Sequence, residues 1–362
     1  MPRWPRGDIF LGRRCGGAII GLIALGVVVS AQPPAPLTRV LEGQLAAFPA
    51  TAGVYVKHLT TGVEAGLRAD HAFSTASVIK LTFLVRAYQL VDQGALNVDE
   101  RIAVDRSMLR HGTGVLQYHD LGLRPTLRDV ITEMIITSDN TATDIVLTKI
   151  GGPAAVTTWL AESGYPTLVS IGRPHEYRRD LLARVNPEFA KLTAEETTGL
   201  MYASDDNPLF ERYGDLFRGP HAAWVPLVRR PAVRQQLARD RNELTTSDQK
   251  FWLGSMTPRD TARLLESIEK GTAASKASCE AMQQTLRRQQ LGARRLPHYI
   301  DVPVGHKTGD GGTIANDVGI IYSKSGPIVV AFFANGVRGS YAEAEDRIGR
   351  LGQALVAHFD RP

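Results

Sequence analysis

The stretch "ASVIKL" (76–81) opens a run that reads as a buried helix with a serine and a lysine at its mouth. The apolar positions Val78, Leu81, Leu84, Val85, Tyr88 and Val91 recur at helical spacing from Ser77 to Val91, and Gly94 marks the end. On that spacing Ser77 and Lys80 lie one turn apart on one face. An ammonium among Val78, Ile79 and Leu81 is costly unless it escapes to solvent or gives up its proton. A serine hydroxyl needs a base to become a good nucleophile, and a lysine kept neutral by burial is such a base. Ser77 also begins the predicted helix, where free N–H groups and the positive end of the dipole favour a developing oxyanion. Taken alone, the pair reads more simply as an N-cap serine and a lysine that snorkels to the surface.

Two further short motifs follow in the chain. Ser138-Asp139-Asn140 falls where two helical patterns meet within "LRDVITEMIITSDNTATDIVLTKI" (127–150). Ser138 is placed there to pass a proton to a leaving nitrogen, and the Asn140 amide to hold both the lysine and a substrate amide. Lys307-Thr308-Gly309 ends a strand-like run, "PVGHKTG" (303–309), and offers a cation and a hydroxyl to a substrate carboxylate. Gly309 permits close backbone approach, and the Asp310 N–H is the expected second donor to an oxyanion. Separately, these motifs read as capping chemistry and a solvated strand end. In this order, each on a suitable element, they point to acyl transfer through a serine.

The rest of the chain is organised around these motifs. Residues 37–48 have an amphipathic helical pattern and "GVYVKHL" (53–59) alternates like a strand, turned back by "TTG". A helix begins at "TPRD" (257–260), with Pro258 suited to its first turn. Strand-like runs follow at 301–307, 317–323 and 328–335, and a helix from about Tyr341 to Phe359 closes the chain. Strands at both ends and helices between predict an α/β (α+β) fold, with residues 32–73 and 251–362 forming one layered domain and 74–250 an inserted helical one. Residues 175–250 are rich in Arg, Pro and charge and too long for a plain connection, so they are expected to form a partly helical insertion or lid.

Composition narrows the function. The chain has 362 residues and a net charge of +5, of which residues 1–31 carry +3 through Arg3, Arg6, Arg13 and Arg14 against Asp8. The remaining +2 gives no electrostatic case for a nucleic-acid partner. Arg13 and Arg14 precede "GGAIIGLIALGVVV", and Val29-Ser30-Ala31 has the small residues of a cleavage site, so residues 1–31 read as a secretory signal. Its removal leaves Cys279 as the one cysteine, which excludes an internal disulfide and leaves no stable membrane span. Nine scattered histidines lack metal-ligand spacing, and no metal or cofactor is expected. Cys279 reads as a small buried residue, His306 as a neighbour of the Lys307 motif, and the basic run 229–241 as a solvated helical face.

With these motifs, the chain resembles the class A serine β-lactamases and the wider penicillin-recognising serine hydrolases. The likeness extends to "GTGVLQ" (112–117), "IGGPAAV" (150–156), "TPRDTARLLESIEKG" (257–271) and "HKTGDGGTIANDVGII" (306–321). The resemblance implies an antiparallel sheet flanked by helices, an inserted helical domain, and an active site between the two. It makes Ser77 the acylated nucleophile, Lys80 its general base, Ser138 the proton shuttle, and Lys307 with Thr308 the carboxylate site.

One element of the family pattern is displaced. Class A enzymes activate the deacylating water with a glutamate that has an asparagine four residues on. Here Glu176 is the first candidate, followed at that spacing by Asp180, and Glu243 the second, followed by Ser247. The expected function is an exported, periplasmic or extracellular, monomeric enzyme that opens β-lactam amides. The altered glutamate region keeps open a D-alanyl peptidase, amidase or esterase with slow deacylation. A non-catalytic penicillin-sensing or wall-binding module is the alternative of another class.

Overall fold

The computed structural model describes residues 36–247 and 253–361, with the side chains of 244–247 outside that description. The leader assigned to residues 1–31 lies outside the described residues. The chain begins with α1 (Leu37–Leu45), β1 (Thr51–His58), β2 (Glu64–Leu67) and the short β3 (Phe73–Ser74). A 3₁₀ turn, Ala76–Ile79, leads into α2 (Lys80–Asp92). Then come α3 (Leu127–Ile136), α4 (Asn140–Lys149), α5 (Gly152–Glu162), β4 (Val169–Ser170), α6 (Pro174–Ala183), α7 (Ala194–Ser204), α8 (Trp224–Val228) and α9 (Pro231–Ser247). The chain returns through β5 (Gly254–Met256), α10 (Pro258–Glu269), α11 (Lys276–Arg287), β6 (Val304–Gly311), β7 (Ile314–Ser323), β8 (Gly326–Asn335) and α12 (Tyr341–Phe359).

Both chain ends build the main sheet, in the antiparallel order β2-β1-β8-β7-β6. β8 shows why. Its near-continuous apolar run "PIVVAFFAN" (327–335) cannot leave either face in water. Ile328, Val330, Phe332 and Ala334 pack on one face with Leu37 and Leu41 of α1 and Ile348, Leu351 and Leu355 of α12. Val329, Ala331 and Phe333 point the other way, into a core shared with α2, α3, α4 and α10. A second small sheet, β3-β5-β4, ties the segment before the 3₁₀ turn to the chain returning at residue 254. The α/β class with an antiparallel sheet drawn from both ends is the fold expected from the sequence.

The Arg- and Pro-rich region after residue 174 is helical and owns a core of its own. Tyr177, Leu181, Phe189, Met201, Tyr202, Tyr213 and Val228 pack together there. Among the described residues, no helix is long and apolar enough to cross a membrane. Cys279 is buried on α11, as its reading predicted.

Candidate active site

The α-helix predicted to start at Ser77 starts at Lys80, and Ser77 sits in the 3₁₀ turn before it. Ala76 explains the shift: its φ of +43° is left-handed, so the chain cannot enter an α-helix there without first turning. The Lys80 N–H still donates to the Ser77 carbonyl, which keeps the two residues on one tight turn. Asn316 of β7 holds this turn from below by donating Nδ2 to the carbonyls of Ser74 (2.9 Å) and Thr75 (3.1 Å). Its Oδ1 accepts from the Ala334 N–H at 3.0 Å, so the nucleophile turn is bolted to the centre of the sheet.

Ser138, like Ala76 at the other motif, is held with a left-handed backbone, at φ +56°. That conformation turns its carbonyl inward, where it accepts from Lys80 Nζ (2.6 Å) and Thr113 Oγ1 (2.8 Å). Two non-glycine residues in this region each cost about 1–3 kcal/mol, a strain characteristic of functional sites. Asp139 fixes the junction by accepting from the Ala142 N–H (2.9 Å) as N-cap of α4 and from the Leu116 N–H (2.8 Å). Asn140 accepts from Lys80 Nζ through Oδ1 (3.2 Å) and donates Nδ2 to the His111 carbonyl (3.2 Å).

The two lysines of the motifs meet at one atom. Lys80 Nζ and Lys307 Nζ, both fully buried, each lie 3.1 Å from Ser138 Oγ. Two ammonium groups so placed repel through a poorly screened interior, and burial penalises both charges. Desolvation, then Lys307, hold the Lys80 amine well below its ordinary range. Burial pushes Lys307 down to about 7, with Asp310 and Asp317 resisting the shift. Lys80 is therefore the amine that stays neutral, and Lys307 the one that keeps a proton up to neutral pH. Lys80 turns to Ser138 and Asn140, and Ser77 Oγ has no hydrogen-bond partner among the described residues.

Ser77, Ser138, Asn140 and Asp310 line a cleft cavity of about 290 Å³. Gly309 brings β6 against the nucleophile turn, since a Cβ there would run into the Thr75 carbonyl and lie 3.0 Å from Val78 Cγ2. Arg295, buried behind β6, pairs with Asp310 and donates to the Asn316 carbonyl at 2.8 Å. Thr308 Oγ1 is buried and makes no hydrogen bond among the described residues. His306 is buried one residue from Lys307, with Nδ1 2.8 Å from Asp317.

Neither glutamate candidate lines the cavity. Glu176 is occupied as a helix cap, accepting through Oε2 from the Arg173 N–H at 2.8 Å at the start of α6. Glu243, on α9, pairs with Arg184 at 3.1 Å and is largely exposed. The wall where a carboxylate was sought is instead built by Tyr177, Arg178, Leu181, Met201, Asp205 and Arg241. Asp205 accepts from His111 Nε2 at 2.7 Å. Sequence reading did not single out Arg178, Arg241, Asn316 or Arg295. Helical spacing from Pro174 was the available signal for Arg178: it puts residue 178 on one face with 174, 177 and 181.

The model of the "Beta-lactamase enzyme family" matches residues 36–205 and 227–359. The L2 β-lactamase of Stenotrophomonas maltophilia is 33% identical over 113 residues, a stretch that covers 31% of this chain and 37% of that enzyme. A β-lactamase from Sphaerobacter thermophilus superposes with a TM-score of 0.64 at 24% identity, over 90% of this chain and 97% of that one. PBP-A, solved as a mutant acyl-enzyme complex with penicillin G, gives 0.63 at 21% identity, over 91% and 99%. The likeness to solved structures establishes the fold. With the family model spanning both halves of the sheet and the helices between them, the chain belongs to the beta-lactamase enzyme family.

Proposed function

We propose that the chain is an exported, monomeric serine hydrolase that opens β-lactam amides through an acyl-enzyme on Ser77 and releases the acyl group slowly. The observation that carries this reading is the convergence of two buried lysines on Ser138 Oγ beside an accessible serine. Neutral Lys80 takes the Ser77 proton as Oγ attacks the lactam carbonyl carbon. The N–H groups of Ser77 and Asp310 receive the oxyanion. Ser138 gives its proton to the departing lactam nitrogen and is reloaded from protonated Lys80. Asn140 holds the acyl amide, and Lys307 with Thr308 draws in the substrate carboxylate. The cleft then lies between the sheet layer of 32–73 and 251–362 and the helices of 74–250.

Slow release follows from the employment of Glu176 as a cap and Glu243 at the surface. Among the described residues the carboxylates that do line the cavity, Asp205 and Asp310, are engaged by His111 and Arg295, so none is left to act as the base of the second half of the cycle. The same observation favours a second reading, a D-alanyl peptidase, amidase or esterase whose acyl-enzyme with penicillin is a dead end. Intact mass of the protein mixed with benzylpenicillin tests both. An adduct that forms quickly, is absent in Ser77→Ala and clears over minutes to hours with penicilloate release supports the first reading. An adduct that never clears, together with turnover of a D-alanyl-D-alanine peptide, supports the second. Absence of both adduct and penicilloate removes acyl transfer and leaves a binding module.

Lys307 gives the proposal a pH signature. Its charged form exists below about 7, so the second-order acylation constant for a carboxylate-bearing β-lactam should fall about tenfold per pH unit above that value. Lys307→Arg keeps its charge throughout and should lack this limb. A wild-type profile flat to pH 9 would take Lys307 out of carboxylate binding.

A further inference from the structure

Arg178 is the feature that the acyl-transfer chemistry leaves unexplained. It projects from α6 into the cleft wall, where Nε donates to His111 Nδ1 (3.1 Å) and Nη1 to the Pro174 carbonyl (2.6 Å). Both partners are neutral acceptors. Among the described residues Arg178 has no carboxylate within ion-pair distance, although neighbouring arginines such as Arg106, Arg110 and Arg173 all have one. A half-buried guanidinium without a counter-charge is expensive to keep. Burial, followed by the field of Arg241 on the same wall, depresses its pKa to about 10. The remaining nitrogen, Nη2, stands beside Asn140: a Cβ placed on Gly112 would meet both Nη2 and, at 2.6 Å, Asn140 Nδ2. The backbone of Gly112, at φ +119°, leaves that space open.

The surroundings define what would fit. Tyr177, Leu181, Met201 and Leu253 supply an apolar wall, Arg241 lines the same cavity, and the carboxylate nearest Arg178 on it, Asp205, is already engaged by His111. Asp310, the other carboxylate on the cavity, is paired with Arg295. We propose that Arg178 forms an anion subsite for a second carboxylate, carried on the acyl part of the substrate beyond the amide that Asn140 holds. The favoured substrates are thus dianionic acyl donors with an apolar body between the two charges. The assignment of the acyl side rests on the proposed role of Asn140 in acyl transfer; the subsite itself rests on Arg178 and its wall.

Benzylpenicillin and carbenicillin, its α-carboxy analogue, form a matched pair that differs by this one charge. The readout is the ratio of their acylation constants, carbenicillin over benzylpenicillin, for the full chain. Arg178→Gln is expected to lower that ratio about 10–100-fold, the worth of one charge-assisted contact, and Arg178→Lys to retain most of it. A ratio unchanged in Arg178→Gln, or lowered equally in Arg178→Lys and Arg178→Gln, overturns the subsite. A second measurement separates this from failure of the acyl-transfer reading: dissociation constants of the two penicillins for Ser77→Ala and for Ser77→Ala/Arg178→Gln. If the wild type forms neither adduct nor penicilloate, the Ser77 reading falls, and the subsite is judged on these constants alone. A preference for carbenicillin that disappears with Arg178 then supports it, and equal binding of the two penicillins by Ser77→Ala overturns it.

Discussion

Lys80→Met is expected to slow acylation of Ser77 by about 10²–10⁴-fold, the range for loss of a positioned general base. The substitution keeps an unbranched side chain of similar volume in a fully buried slot, so the core is not emptied. It removes three donated hydrogen bonds, to the Ser138 carbonyl, Ser138 Oγ and Asn140 Oδ1. The first acceptor retains Thr113 Oγ1, and Ser138 Oγ retains Lys307 Nζ. Against that loss stands relief of a buried amine held next to Lys307. Thermal stability should therefore move little while the acylation rate collapses.

The pH profile separates this chemistry from simple disruption. Lys80 must be neutral to accept a proton, so wild-type acylation should show an acidic limb that falls tenfold per unit below the Lys80 pKa. That limb lies well below the ordinary lysine range because burial and Lys307 both disfavour the charge. Lys80→Met should lose the acidic limb altogether. An acylation constant within threefold of wild type, or an unchanged acidic limb, would assign the base elsewhere. Burst measurements with a chromogenic β-lactam under single-turnover conditions supply both numbers.

Why Lys80 was legible and Arg178 was not follows from what each needs in order to be recognised. Lys80 interrupts an apolar helical pattern, and its partner serine is three residues away, so local spacing alone makes it anomalous. Arg178 lies among other arginines in "PHEYRRDLLAR" (174–184), where a solvated face is the ordinary expectation. Only the packing of α6 against α7 and α9 turns it into the cleft, and that packing depends on contacts far apart in sequence. The same holds for Arg241, which ends a run read as solvated yet lines the cavity.

The sheet shows the opposite case. β8 is apolar from Pro327 to Ala334 because both its faces are covered, β7 is apolar apart from the buried Asn316 and Asp317 that serve the site, and α12 spans Tyr341–Phe359 as its periodicity predicts. α11 carries a weaker signal, because Ser278 and Thr285 share the buried face with Cys279, Met282 and Leu286 and thin its apolar stripe. The left-handed backbones of Ala76 and Ser138 had no signal, since neither residue type favours that region. They exist because hydrogen bonds from Asn316, Lys80 and Thr113 hold the carbonyls around them. The motifs could thus announce the chemistry without showing the strain that positions it.

Gly309→Ala tests that positioning directly, and a loss of about 10²–10³-fold in acylation is expected, the cost of one oxyanion donor. The added methyl would meet the Thr75 carbonyl, which is backbone and already accepts from Val78 N–H (3.1 Å) and Asn316 Nδ2 (3.1 Å). Val78 Cγ2 at 3.0 Å and Asn316 Cβ at 3.2 Å close the remaining directions. β6 must therefore draw away from the 3₁₀ turn, and the separation between the N–H groups of Ser77 and Asp310 grows. The nucleophile and Lys80 are untouched, so the acidic limb should stay where it is in wild type while the plateau drops. Gly43→Ala is the matched control. Gly43 lies within α1 with nothing near its Cβ, and the change should raise stability by about 0.5–1 kcal/mol without altering acylation. A Gly309→Ala protein that acylates as fast as wild type would mean that the close approach of β6 to the nucleophile turn serves packing alone, and that the oxyanion is held by donors other than Asp310.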